Sequence, residues 1–233
     1  MWGASLTVRR LNWWRRGQRH LLLAGASGIL IEGIFLLLPP GSIAFRLSIA
    51  LAYAGMAFLC CSLVIGPWRA LHGRPIRVST DFRRDIGIWA ALLGLVHVVF
   101  GLQVHMGGQM RLYFFFPADQ PHPFPLRFDA FGFANYTGLG VTLVLLLLLG
   151  LSNDFSLRIL GARRWKALQR WNYAGFLLMA THGGAYQWLE TRSLPFVGLL
   201  RSMVLAVAAA QIVGFRWMRA KVNHKTGEGE SNL

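Results

Sequence analysis

Two histidines stand inside apolar runs: His97 in "RRDIGIWAALLGLVHVVFGLQVHM" and His182 in "WNYAGFLLMATHGGAYQ". In such surroundings an imidazole without a partner costs on the order of 1–3 kcal/mol, and a charged one more. Each ring must therefore be hydrogen-bonded within the helix packing or bound to something. His97 lies thirteen residues past Arg84, and His182 thirteen past Gln169. At about 1.5 Å per residue, each sits roughly 20 Å along its helix. If the two helices run in one direction, both imidazoles reach the same depth. That arrangement suits a haem held edge-on between helices, with one nitrogen on each face of the iron. Glycines accompany both rings: Gly94 and Gly101 about a turn either side of His97, Gly175 and Gly183 near His182. Missing side chains let a flat macrocycle approach the backbone. Hydrogen-bonded packing histidines, with glycines serving helix contact, explain the spacing alone equally well.

The elements that position these residues read as membrane helices. Hydrophobic residues make up 55% of the 233, only 14% are charged, and the mean hydropathy is +0.45, which excludes an ordinary soluble domain. The net charge of +15 comes from basic residues clustered between long apolar runs, a membrane pattern and not a nucleic-acid one. Six stretches are long enough, or nearly so, to cross a bilayer: 20–38, 43–65, 86–106, 131–151, 168–189 and 197–217. Pro39-Pro40-Gly41 makes a tight connection after the first. That first stretch follows a basic arm with no small-residue cleavage site, which reads as a retained span. No internal repeat is evident.

With six alternating spans, eighteen of the 24 basic residues fall on one side. They include Arg9, Arg10, Arg15, Arg16 and Arg19 of the arm, Arg69, Arg74, Arg77, Arg83 and Arg84, and the run Arg158 to Lys166. Arg216, Arg219, Lys221 and Lys225 complete the set. Only Arg111, Arg127 and Arg192 occupy the opposite loops, so both termini are expected in the cytoplasm. Trp13, Trp14, Trp68, Trp165 and Trp217 mark the same boundary. The expected fold class is an all-α membrane protein with six transmembrane helices. A basic cytoplasmic arm covers 1–19, a membrane domain 20–217 and a cytoplasmic tail 218–233.

"FRRDIGIWAALLGLVH", followed by "SND" and "LGARRWKALQRWNYAGFLLMATH", resembles the ferric-reductase-like transmembrane domain over about residues 60–190. The similarity is closest to the haem-bearing membrane subunit of the bacterial methionine-sulfoxide reductase system. It rests on the arginine pair, the glycine three residues on, the downstream histidine and the tryptophan-lysine-x-leucine run. The resemblance implies a six-helix cytochrome b of a bacterial inner membrane, with iron ligands on the third and fifth spans. His97 and His182 match the outer ligand pair. Two-haem relatives carry a second, inner pair, and the subunit named above usually shows leucine-histidine-arginine where this chain has Leu168-Gln169-Arg170. Here the inner positions hold Arg83 and Gln169, neither a normal ligand, so a single haem b per chain is expected. The sixteen residues after Trp217 leave no room for a flavin or nicotinamide domain, so electrons are expected from a partner oxidoreductase, a quinol or a bound flavin.

Other polar residues invite competing roles. His105, eight residues past His97, could replace it as ligand, bond a haem propionate, serve a substrate or simply lie at the interface. Met106, Met110 and His122 lack the spacing of a surface metal site. Glu32, in the outer half of the first span, is expected to pair with Arg46 or Arg201. In the rival reading those arginines hold haem propionates while Glu32 moves protons for a quinone. Asn135 and Gln211 read as helix-packing hydrogen bonders. His20, His72 and His224 sit in basic segments and read as solvated, and adjacent Cys60 and Cys61 read as small packing residues. The loop over 107–130, rich in proline and aromatics, is expected to form a structured cap where a periplasmic partner or substrate would dock, and a simple interfacial re-entry explains it equally well. Arg83, Arg84, Lys166 and Arg170 would suit the phosphate or anionic ring of an inner FMN or quinone.

The expected function is therefore electron relay from a quinol or flavin, through one bis-histidine haem, to an acceptor on the outer side. A haem-free structural or assembly subunit within a larger membrane complex is the alternative. A transporter would need a pair of broken half-helices, which the sequence does not show.

Overall fold

The computed structural model describes residues 3–72, 81–119 and 122–230. Arg74 and Arg77, counted above on the basic side, lie outside these residues, as do the side chains of Arg9, Arg10, Trp13, His224 and Lys225. The described chain is helical, with no strand; a single isolated bridge pairs Phe115 with Leu126. Seven helices follow in order: α1 (Gly3–Leu37), α2 (Ile43–Leu71), α3 (Asp81–Gly101), α4 (Ala130–Leu151), α5 (Asp154–Gln169), α6 (Trp171–Leu189) and α7 (Leu194–Glu230).

Five of them, α1, α2, α3, α4 and α7, are long and apolar enough to cross a membrane. Leu21, Ile29, Leu36, Leu143, Leu205 and Phe215 are exposed on their outer faces. Such a surface is stable only against lipid, so this is an integral membrane protein. The helix carrying His182, α6, is not among the five; Asn172, Thr181, His182, Gly183, Gly184 and Gln187 dilute its hydropathy.

Local chemistry sets the helix starts. The side chains of Ser42, Asp129 and Asn153 accept from the N–H groups of Phe45 (3.2 Å), Gly132 (2.7 Å) and Ser156 (2.7 Å), capping α2, α4 and α5. A Cβ at Gly132 would fall 2.0 Å from the Arg127 carbonyl oxygen, so the entry to α4 requires glycine. The core forms where α2 packs on α3 and α7, with Leu51, Ala54, Phe58 and Leu63 against Ile86, Leu93 and Val207. At Gly214 α7 passes Pro67 of α2 so closely that a Cβ would lie 2.8 Å from the ring.

Contacts fix the direction of each helix. At one end Arg16 and Arg19 of α1 reach Asp85 of α3, Gln211 of α7 donates to the Leu63 carbonyl (3.0 Å), and Tyr173 of α6 donates to Gln211 (3.3 Å). At the other end Tyr53 donates to the Phe196 carbonyl (3.1 Å), and Gln187 donates to both Tyr53 (2.7 Å) and Phe196 (2.9 Å). Consecutive long helices therefore alternate, and α3 and α6 run parallel, as the depth argument for the histidines requires.

Three sequence expectations change. The third apolar run does not stay helical to 106: α3 stops at Gly101, and the chain turns through Met106, Gly107 and Gly108 at positive φ. The segment expected as a loop between the fourth and fifth spans is α5, broken in its middle by Gly161 at φ 69°. Its arginines gave it no apolar stripe to read as a helix. His20 is not solvated: its Nε2 lies 3.6 Å from Asp85, and its Nδ1 accepts from the Trp89 indole at 3.1 Å.

Asp85 is fully buried, with Arg19 at 3.1 Å and Arg16 at 3.4 Å. The pairing ties α1, an otherwise peripheral helix, to the core. Removing the carboxylate strands two guanidinium groups that are about a third exposed, which costs about 1–3 kcal/mol. Asp85→Ala should lower the melting midpoint of the purified full chain by roughly 3–10 °C. Glu32→Ala, at an exposed position on the same helix, should leave it unchanged. Equal midpoints for both variants would show that the Asp85 network does not hold α1.

Candidate functional site

His97 on α3 and His182 on α6 face each other, their ring centres 6.2 Å apart and their planes at 73°. Each ring is fixed from behind. His97 Nδ1 donates to the Ser48 carbonyl at 2.8 Å, with the Ser48 hydroxyl at 3.1 Å. His182 Nδ1 donates to the Ala134 carbonyl at 2.8 Å. A carbonyl only accepts, so the proton sits on Nδ1 and the lone pair on Nε2 in both rings. That is the tautomer a metal takes up, with the second nitrogen oriented by a main-chain acceptor.

Both histidines line a cavity of ≈ 400 Å³ between α2, α3, α4 and α6, within the size range of small-molecule sites. Gly94, Gly101 and Gly183 line it as well. Gly138 of α4, not singled out in the sequence, has the sharper role. A Cβ there would fall 2.7 and 2.8 Å from the His182 ring. Its signal is one of packing between sequence-distant helices, which no pattern within the fourth span carries.

Two metal–nitrogen bonds of about 2 Å and the half-widths of two imidazoles span about 6 Å between ring centres. The observed 6.2 Å fits one metal atom between the rings. Among the described residues no group of three or more His, Cys, Asp or Glu gathers as a metal site. Two imidazoles alone would leave a bare ion undercoordinated, and would suit a metal that brings its remaining ligands with it. The donor set and the glycine-lined cavity therefore fit a haem.

His105 lies beyond the end of α3, off the His97 face. Its Nε2 donates to Glu190 at 3.0 Å, and the other Glu190 oxygen bonds Arg192. With Nε2 spent on a carboxylate, His105 is placed at the cavity mouth and not as an alternative to His97. Tyr186 links this mouth to the site: it stacks on His105 (6.0 Å), meets His182 edge-on (5.0 Å) and donates to Asn135 at 2.7 Å. Above it the loop forms a cap through two 3-10 turns, Met106–Gly108 and Met110–Tyr113, with Tyr113 buried. Burial raises the Tyr113 hydroxyl above the usual tyrosine range.

Arg46 and Arg201 do not line the cavity. Arg46 donates to the Phe35 carbonyl at 2.6 Å and covers the Phe35 ring, while Arg201 is exposed on α7. Neither pairs with Glu32, which is exposed on α1. The cavity-lining arginine is Arg192.

A second cavity, of ≈ 220 Å³, lies toward the basic end. It brings Arg83, Arg84, Lys166 and Arg170 together, with Arg69 and Gln169. Arg84 bonds Asp154 at 2.5 Å, which holds that carboxyl below the usual carboxylate range. The bond's contribution is present at neutral pH and fades as pH falls through the depressed value.

Comparison with protein-family models, curated proteins and solved structures returned no match to this chain. The site stands on its own geometry.

Gly138→Ala should push the His182 ring off the Ala134 carbonyl and destabilise the chain by about 1–3 kcal/mol, as overpacking does. Gly150→Ala, on the same helix with nothing within 4 Å of the added carbon, should be neutral or slightly stabilising. Thermal melts of the two variants check this, and a Gly138→Ala midpoint at or above wild type would overturn the packing argument.

Proposed function

We propose that this protein is a single-haem membrane cytochrome b related to the ferric-reductase-like transmembrane domain. On this reading six helices, α1 to α4, α6 and α7, cross a bacterial inner membrane with both termini in the cytoplasm. The excess of arginine and lysine at the end holding Arg16, Arg69 and Lys166 supports that orientation. The observation that carries the proposal is the pair His97 and His182, each anchored through Nδ1 and 6.2 Å apart across a glycine-lined cavity.

His97 and His182 would hold the haem, whose iron supplies one-electron storage when bound. The apolar walls, among them Met56, Leu145 and Leu200, would exclude water from it. His105, Arg192 and Tyr186 at the mouth would orient polar groups facing the outer side. The electrons would come from a quinol, or from a flavin supplied by a partner oxidoreductase or larger complex, and leave to an outer acceptor. Arg83, a permanent cation lying over Gly66, and Gln169, a weak amide, support the absence of a second, inner haem.

A reduced-minus-oxidised spectrum of the purified full chain tests the reading, with Soret and alpha-band changes expected. No change after haem supplementation would favour a haem-free packing subunit. His97→Ala and His182→Ala should each lose most bound haem, while His105→Ala and His72→Ala retain it. Pyridine haemochrome against protein mass should give about one haem per chain, one macrocycle for one histidine pair. A ratio near two would end the single-haem proposal.

A further inference from the structure

The inner cavity carries more positive charge than its surroundings neutralise. It is lined by cations from three helices and the α5–α6 joint: Arg69 of α2, Arg83 and Arg84 of α3, Lys166 of α5, and Arg170. Asp154 answers Arg84. Asp85, the adjacent carboxylate on α3, is committed to Arg16 and Arg19 of α1. Among the described residues no ion pair engages Arg69, Arg83, Lys166 or Arg170.

Two further features favour an anion. Asn172 and Tyr173 line the cavity, so the first turn of α6 faces it, and no side chain caps that helix start. The helix dipole there attracts negative charge, while the Tyr173 N–H itself is spent on the Arg170 carbonyl at 3.0 Å. Among the described residues the Gln169 side-chain nitrogen is buried without a hydrogen-bond partner and can donate to an anion, while Asn172 Oδ1, an acceptor on the same cavity, is likewise unpartnered. The opposite wall is apolar, with Leu59, Ala91, Leu145 and Leu148.

We infer that this cavity is a binding site for a phosphate ester whose uncharged remainder rests on the apolar wall. A neutral quinone ring would leave the cations unanswered, so the inner site selects for phosphate. Two sources share that chemistry: the headgroup of an anionic phospholipid in the inner leaflet, and a soluble phosphate monoester. Basic pockets between transmembrane helices commonly take headgroups in this way. The inference rests on the inner cavity alone and is independent of haem binding at His97 and His182.

The test separates a built site from the general basicity of the membrane surface. The full chain is reconstituted in nanodiscs of phosphatidylcholine with or without phosphatidylglycerol, and lipid retained on release is counted by native mass spectrometry. In parallel, inorganic phosphate is titrated against tryptophan emission at matched chloride ionic strength, since Trp165 lines the cavity. Lys166→Gln/Arg170→Gln is compared with Arg163→Gln/Arg164→Gln, which removes equal charge from exposed positions outside the cavity.

Retention of phosphatidylglycerol that falls about tenfold or more in the first pair only would assign the site to a lipid headgroup. Phosphate binding with the same pattern, without lipid retention, would assign it to a soluble ester. Equal loss in both pairs, or no binding of either probe, overturns the inference. Haem content measured on the same samples keeps this outcome distinct from that of the cytochrome proposal.

Discussion

Two hydrogen bonds from imidazole Nδ1 to main-chain carbonyls set the conditions for the rest of the bundle. A neutral imidazole buried among apolar side chains must satisfy its N–H, and the nearest acceptors are carbonyls of other helices. For His97 that acceptor belongs to Ser48 of α2, and for His182 to Ala134 of α4. Each bond at 2.8 Å holds two backbones within a side chain's reach of one another. Small residues make that approach sterically open. Gly138 clears the His182 ring, and a carbon added at Gly101 would already touch the Ser48 hydroxyl at 3.4 Å and the His97 ring at 3.7 Å. The helix pairs α2–α3 and α4–α6 are therefore set by chemistry at the histidines as well as by hydrophobic packing, and the cavity lies where the two pairs meet.

The charges divide by function around that apolar centre. At the basic end Asp85 serves as an anchor, because it is enclosed and ion-paired to Arg16 and Arg19 of α1. Asp154 is exposed and engages a single arginine. What remains is a cationic inner cavity and, at the other end, a compensated mouth where Glu190 stands between His105 and Arg192. The inner compartment is thus built to attract an anion. The outer one exchanges polar contacts at little net charge.

Much of this was legible from residue order alone. Apolar run length gave the long helices, and two histidines, thirteen residues past Arg84 and past Gln169, gave the pair at the centre. The inner basic set Arg83, Arg84, Lys166 and Arg170 does converge on one cavity. What sequence missed depends on contacts between distant segments. The Asp85 anchor hides at a helix start where a carboxylate looks solvent-facing, and Gly138 acts only through a helix some forty residues on. The expected partners of Glu32 went elsewhere because Arg46 found a main-chain carbonyl and an aromatic face within reach. His105 was projected along a helix that ends at Gly101, so its partner, Glu190, lay off the projected face.

The two cavities also bear on how far an inner group would stand from the histidines. Counting along a helix gives roughly 20 Å from the basic boundary to His97. Across the bundle the separation is smaller, because Leu145 lines both cavities. Its Cδ1 occupies the space opposite Gly94, where a Cβ would meet it at 2.6 Å. The partition at this point is one aliphatic side chain, seated by a glycine one turn before His97. Such a layer denies passage to water and ions, since neither finds a hydrogen-bond partner on it. The same layer adds only the thickness of a leucine to the path between compartments. Groups held in the two cavities would then be close without sharing solvent, separated at this point by one leucine side chain.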